Sequence, residues 1–255
     1  MSAQELIYQA AEIKFHSGQE TNRLFEQEYI RLRSREGRIY TDAELQQLPE
    51  IAATHPYAEE WKIRKRSSEK LLKYFQQKKN ACHILEPGCG NGWLTNFLAQ
   101  DRRHTITGAD INETELVQAK RVFGIQPNLR FISGSLDHPA VSKEKYDAIV
   151  FASSIQYFES LHEVIRQCIT LLKPGGELHL LDSPVYQQQE LAAARERTKR
   201  YFDESGVPGM AAYYFHHSWE QLAGLSYTIL SKPASRFRLF KKNQDPFPWI
   251  CIQPS

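Results

Sequence analysis

Three glycines at alternate positions, Gly88, Gly90 and Gly92, follow a carboxylate and an apolar run in Ile84-Leu85-Glu86-Pro87-Gly88-Cys89-Gly90-Asn91-Gly92-Trp93-Leu94-Thr95. Lacking Cβ atoms, such residues accept positive φ and let backbone amides come close to a bulky ligand. The apolar run Cys82 to Leu85 has the composition of a central parallel strand buried on both faces. Beyond the loop, Trp93, Leu94, Phe97 and Leu98 give an apolar helical stripe. The pattern reads strand, glycine turn, helix, with the positive end of the helix dipole at the turn. A second strand, Thr105-Ile106-Thr107-Gly108-Ala109, ends in Asp110, 18 residues past Gly92. A carboxylate at that strand tip can accept from both hydroxyls of a ribose, so the two tips point to a nucleoside.

The kind of nucleoside follows from spacing and charge. A dinucleotide fingerprint runs G-x-G-x-x-G, whereas this loop runs G-x-G-x-G behind Glu86. A carboxylate at the entrance repels a pyrophosphate and attracts the ammonium group of an amino-acid-bearing nucleoside. An NAD-dependent oxidoreductase is the competing enzyme class, disfavoured by this spacing. A non-catalytic nucleoside-binding protein stays open, because the loop marks binding rather than chemistry.

On these residues the chain resembles the class I S-adenosylmethionine-dependent methyltransferases, whose first motif is an acidic residue followed by G-x-G-x-G. Phe131-Ile132-Ser133-Gly134-Ser135-Leu136 is similar to the end of the family's third strand, Tyr146 to Phe151 to its fourth, and Leu171-Leu172-Lys173-Pro174-Gly175-Gly176-Glu177-Leu178 to the turn into its fifth. The resemblance covers about residues 80 to 185. It implies an α/β fold, a Rossmann-like three-layer sandwich with a seven-stranded, mostly parallel sheet whose last strand is antiparallel. It implies S-adenosylmethionine as cofactor, with Glu86, Gly88, Cys89 and Gly90 along the methionine portion and Asp110 on the ribose. Ile111 would flank the adenine, Ser135 and Leu136 would lie at its edge, and Ala152 would border the donor. Trp61 or Arg64, near the mouth of the family's site, would help bind the donor's carboxylate. Two positions depart from the family: Ser135 stands where an Asp often accepts from the adenine amine, with Asp137 as a substitute, and Gln156 and Tyr157 stand where a His is frequent.

The implied chemistry moves a methyl group to an O, N or C nucleophile of a small molecule. A base is needed only where that acceptor must lose a proton. Tyr157, His216 and His217 are the candidates, the histidines because Tyr213-Tyr214-Phe215-His216-His217-Ser218-Trp219 sets aromatics beside groups that titrate near neutral pH. Buried aromatics ahead of a helix cap at Ser218 explain the same run structurally. No spacing suggests a metal site, and the four cysteines, lacking a C-x-x-C pair, are expected as reduced buried thiols.

Around this centre, 41% apolar and 24% charged residues in 255 fit a soluble globular enzyme. With no apolar run near ~20 residues and no signal-peptide core, the expected location is cytoplasmic. Residues 1–57 read as an N-terminal helical extension or lid, with a helix over Thr21 to Arg35, and 58–255 as the methyltransferase domain. A helix follows from Ala58 to Gln77, then one from Glu190 to Phe202, and strands at Ser226 to Leu230 and Pro248 to Ile252 close the chain. Eight Lys or Arg lie between Lys62 and Lys79 against Glu69 alone, and Arg236, Arg238, Lys241 and Lys242 form a second basic arm. Such density suits phosphate contacts and keeps an RNA methyltransferase as an alternative. A net charge of +2 favours a solvated helix face instead.

Overall fold

The structure is a computed structural model and describes residues 17–233 and 245–254. His16 and the basic arm carrying Arg236, Arg238, Lys241 and Lys242 lie outside the described residues. Seven strands form one sheet: β1 His83–Pro87, β2 Thr105–Asp110, β3 Leu129–Ser133, β4 Tyr146–Ala152, β5 Leu172–Leu181, and, after a two-strand ribbon of β6 Val185–Tyr186 with β7 His217–Ser218, β8 Tyr227–Ser231 and β9 Trp249–Ile252. The order is β3-β2-β1-β4-β5-β9-β8. Neighbours run parallel from β3 to β5, while β9 is antiparallel to both β5 and β8. The order reverses between β1 and β4, and that switch point is where open α/β sheets bind ligands beyond their strand ends.

Among the described residues there are eight α-helices: α1 Ser17–Arg35, α2 Asp42–Gln47, α3 Ala58–Gln76, α4 Trp93–Leu98, α5 Glu113–Phe123, α6 Pro139–Ser142, α7 Leu161–Leu171 and α8 Leu191–Glu204. The period of two along the strands explains the layers. Ile84, Ala148 and Val150 face a core with Leu71 and Phe75 of α3, whereas Leu85, Ile149 and Phe151 face one with Ile165 and Cys168 of α7. Burying a residue such as Leu71 or Phe75 contributes roughly 1.5–3 kcal/mol, against ~0–1 for an exposed ion pair. The apolar face of α3 therefore attaches it, not its charges. All four cysteines are buried and form no disulfide.

The N-terminal region divides. Tyr40, Leu45 and Leu48, around α2, share the α3 core, and Arg121 of α5 grips Asp42 at 2.7 Å. Helix α1 instead packs Phe25 and Leu32 against Phe202, Val207 and Met210, forming a third cluster above the strand tips. The sequence expectations for α3, α8 and the last two strands agree with the observed elements to within about two residues, while α2 and the β6–β7 ribbon were not foreseen.

Candidate functional site

The loop after β1 turns back on the tip of β2. The N–H of Gly88 donates to the Ala109 carbonyl at 2.7 Å, and that of Gly90 donates to Asp110 Oδ2 at 2.7 Å. Gly88, Gly90 and Gly92 have φ of 71°, 53° and 75°. A side chain on Gly88 would begin 2.7 Å from Ser154 Cβ, whose hydroxyl donates to the Pro87 carbonyl, so the β1 loop lies directly against the turn after β4. Asp110 Oδ1 also accepts the Asn112 N–H at 2.8 Å, and Gly134 at the β3 tip donates to the Asp110 carbonyl. Three strand tips are thereby joined through Asp110.

Three carboxylates gather here. Glu86 is buried under the loop, its Oε2 accepting from the Thr95 hydroxyl at 2.6 Å, and burial, with the field of Asp110, pushes its carboxyl up to about 8. Burial also raises Asp110, against the opposing pull of its amide donors. Glu115, in the first turn of α5, has Oε2 2.8 Å from where a side chain on Gly90 would start, and burial with Asp110 lifts it to about 8. The cation whose field reaches Glu115 is Arg33 of α1. Burial thus disfavours the ionised forms of three neighbouring carboxyls, a penalty that a nearby positive charge would relieve.

Beside it opens a cleft of about 620 Å³ between α1, α3, α8 and the tips of β4 and β5. Ser153 and Asp182, at those tips, have positive φ of 55° and 54° and are tied together: Ser153 donates its N–H to the Leu181 carbonyl and its hydroxyl to that of Asp182. Ser67 of α3 donates to Asp182 Oδ2 at 2.5 Å. Burial raises Asp182 to about 6, opposed by Ser67 and by Arg64. Arg38 clasps Glu60 through two bonds of 2.8 and 2.5 Å, and Arg64 reaches the same carboxylate at 3.0 Å. Burial works against ionisation of Glu60, but the two guanidinium groups outweigh it and hold the carboxyl near 2. Tyr157, Tyr186, Tyr201, Phe202 and Tyr214 give the walls an aromatic share, beside charged and polar residues that include Arg33, Glu36, Gln156 and Arg197.

The residues expected from the sequence distribute unevenly. Gly88, Gly90, Asp110, Ile111 and Ala152 are all partly accessible, whereas Cys89 is buried and burial raises its thiol. Leu136 lies in the core with Ala109 and Ile132, Ser135 is exposed, and Asp137 takes the Gln167 amide. Trp61 is a core residue whose Nε1–H donates to Tyr40 at 2.8 Å and whose ring meets Trp93 edge-on, while Arg64, one turn away, lines the cleft. Tyr157 lines it too, set edge-on to Phe25, Tyr29 and Tyr214. His217 is buried with Nε2 on the Ile155 carbonyl, and His216 stacks behind Tyr186 and Tyr214 with Nε2 on the Thr198 hydroxyl. Burial lowers both imidazoles, favouring their neutral forms. Asp182, Glu115 and Arg33 were not singled out in the sequence, since each is a lone charged residue without a motif.

The basic helix is largely ion-paired. Lys62, Arg64, Lys65, Arg66, Lys70 and Lys78 meet Glu59, Glu60, Glu50, Asp245 and Glu177, which leaves little free cationic surface for a phosphate backbone. Midway along β5, where His179 pairs with Cys251 of β9, the side-chain ligand atoms of Glu177, His179 and Cys251 lie within 4.8 Å of one another. Trp249 Nε1–H donates to His179 Nδ1, so Nε2 carries the proton, and Lys78 and Tyr74 donate to Glu177. His179 and Glu177 are thus each held by neighbours, while His179 Nε2 lies 3.4 Å from Glu177 Oε2 without a hydrogen bond to it. No helix of the described residues is long and apolar enough to cross a membrane.

Comparison with known proteins matches the same strands. Residues 84–176 match the family model described as a methyltransferase domain. Over 96 residues the chain is 32% identical to malonyl-[acyl-carrier protein] O-methyltransferase of Priestia megaterium, covering 37% of this chain and 34% of that protein. It is 31% identical over 125 residues to arsenite methyltransferase of Rattus norvegicus, covering 44% and 33%. The chain thus spans about a third to a half of the length of the curated relatives it matches. Among solved structures, the CurJ carbon methyltransferase superposes with a TM-score of 0.59 at 16% identity, over 94% of this chain and 72% of that one. Magnesium protoporphyrin IX methyltransferase from Synechocystis gives 0.59 at 14%, over 93% and 98%. The glycine turn, the strand-tip carboxylate and strands β2 to β4 all lie inside the matched segment, residues 84–176, and it is there that the chain is similar to the class I S-adenosylmethionine-dependent methyltransferases.

Proposed function

We propose that this protein transfers a methyl group from S-adenosylmethionine to a hydroxyl or amine of a small molecule held in the 620 Å³ cleft. The observation that carries this is the direct junction of the two strand tips, Gly90 N–H on Asp110, beside a turn of which Ser153, Gln156 and Tyr157 border the cleft. The cradle fits the cofactor on charge: burial makes ionisation of Glu86, Asp110 and Glu115 costly, and a donor bringing a sulfonium and an ammonium relieves that cost. Solved relatives in fold are described with bound S-adenosylmethionine or S-adenosylhomocysteine. Curated relatives are named for acceptors as different as a malonyl-acyl carrier protein, arsenite and ubiquinone precursors, so the acceptor is argued from this cleft alone.

The bound donor supplies an electrophilic methyl on a cationic sulfur. The chain's own residues then orient the acceptor, an effect worth up to roughly 7–11 kcal/mol of barrier in well-aligned systems. Asp182 is placed to hold the acceptor's proton: Ser67 occupies Oδ2, Oδ1 is the remaining oxygen, and a value of about 6 suits a base near neutral pH. Tyr157 and α1 close the site towards water.

Calorimetric titration with S-adenosylmethionine, S-adenosylhomocysteine and NADH, followed by methyl-labelled donor against a metabolite extract, tests the reading. Tight binding of the first two and a labelled small product are expected. Heat from NADH alone would transfer the chain to the oxidoreductases. Donor binding without any labelled product would leave a nucleoside-binding protein, and label in RNA would move the acceptor class.

A further inference from the structure

Glu115 is the charged residue of the nucleoside cradle for which the glycine turn and the strand tip give no account. Its carboxylate rests on the turn itself, Oε2 lying 2.8 Å from the position a Gly90 side chain would take. The Asn112 amide reaches that oxygen only at 3.5 Å, the long limit of a hydrogen bond. The residue is partly accessible, unlike Glu86, which is sealed beneath the loop on Thr95. Charged and titratable groups face it from each packed element. Asp110 at the β2 tip and Glu26 on α1 oppose its ionisation, Arg33 on α1 favours it, and Cys89 of the turn, Tyr29 of α1 and Tyr157 after β4 feel its charge. Glu86 acts on the same Asp110 from the neighbouring strand.

We propose that Glu115 is a ligand-facing carboxylate of the nucleoside site that is protonated in the free protein and releases its proton to solvent when a cationic nucleoside binds. The proposal rests on the reading that the site takes S-adenosylmethionine. Carboxylates crowded in a poorly hydrated cradle do not all ionise, and an arriving cation removes that penalty. Binding is thereby coupled to proton loss and tightens as pH rises. Burial together with Asp110, lifting Glu115 to about 8, puts this rise between pH 6 and 9. Helix α1 sets the balance, because it contributes both Arg33 and Glu26.

The test titrates S-adenosylmethionine into the protein in phosphate and in Tris, buffers whose ionisation heats differ, at pH 6 and pH 8.5. Wild type is expected to release protons at pH 6 and to bind more tightly at pH 8.5. Glu115→Gln should release at least about half a proton fewer at pH 6. It should bind about tenfold more weakly at pH 8.5, with a smaller deficit at pH 6. Glu115→Asp, which keeps the charge one methylene back, should fall between them and serves if the glutamine variant does not fold. Equal affinity and equal proton release in wild type and the variants overturn the proposal while leaving the cofactor reading intact. Absence of any S-adenosylmethionine binding by wild type removes the cofactor reading itself, and the proposal with it.

Discussion

Gly92→Ala and Gly90→Ala should fail in different ways, and the difference is calculable from what each new methyl group would meet. Gly92 caps α4 at φ 75°, and its Cβ would sit 2.6 Å from two ring atoms of Phe131 and 3.0 Å from Ala119 Cβ. The left-handed conformation costs an alanine ~1–2 kcal/mol, and forcing a methyl into a packed site adds ~1–3. The sum is roughly 2–5 kcal/mol. Gly90, at φ 53°, would present its Cβ only to the far end of Glu115, a side chain that can swing away, so its cost stays near ~1–2 kcal/mol. Equilibrium unfolding in urea, with midpoints compared at a common slope, measures both. Donor titration then separates stability from function: Gly90→Ala should remain folded yet bind S-adenosylmethionine at least about tenfold more weakly, because it displaces Glu115. If Gly92→Ala proves no less stable than Gly90→Ala, the packing of the loop against Phe131 is wrong.

Other perturbations probe separate parts of the site. Glu86 has a folded value of about 8 against an ordinary glutamate near 4.5, so its contribution to stability is complete below about pH 4.5 and is lost as pH rises to about 8. Glu86→Gln should therefore be the more stable protein above pH 8, by at least ~1 kcal/mol, with a flatter profile from pH 5 to 8. Parallel melting curves for the two proteins across that range would refute the assignment. For an acceptor found by the labelling screen, Asp182→Asn should cut the transfer rate about 100-fold with donor affinity within about twofold. The wild-type rate should climb with pH through about 6, and a variant that keeps that climb places the base elsewhere. Arg38→Ala removes a guanidinium stacked 3.8 Å above Tyr57 and clasping Glu60. A loss of about 1–3 kcal/mol in urea unfolding is expected, the range for a hydrogen bond to a charged group, and no change would mean that solvent replaces the contact.

The central sheet was legible because its signals are local. An apolar run, three spaced glycines and a terminal carboxylate sit within 29 residues from Cys82 to Asp110, and β1, β2 and the turn between them follow that order. Capping chemistry is local too, as with Asn112 accepting from Glu115 N–H at the start of α5. The acceptor side was illegible because nothing near Asp182 in sequence says that Ser67, 115 positions earlier, donates to it. Tyr213 to Trp219 looked chemical from composition alone, yet His217 is fixed on the Ile155 carbonyl and His216 lies behind two tyrosines. Aromatic and imidazole density reports burial as readily as catalysis, and only tertiary partners separate the two.

Ser153 and Asp182 are not glycines, yet both hold positive φ at adjacent strand ends. Each such residue costs of order 1–3 kcal/mol and persists only where its surroundings over-determine it. Here the surroundings are reciprocal: the backbone and hydroxyl of Ser153 grip the Leu181 and Asp182 carbonyls, and Ser67 holds the Asp182 carboxylate from α3. Relaxing either residue to negative φ would break bonds to the other, so the pair moves together or not at all. The result is a rigid edge shared by the proposed nucleoside cradle, through Ser154 against Gly88, and by the proposed acceptor cleft, through Asp182. The proposed alignment of donor and acceptor needs such a common reference, and the strain lies where the two proposed sites meet.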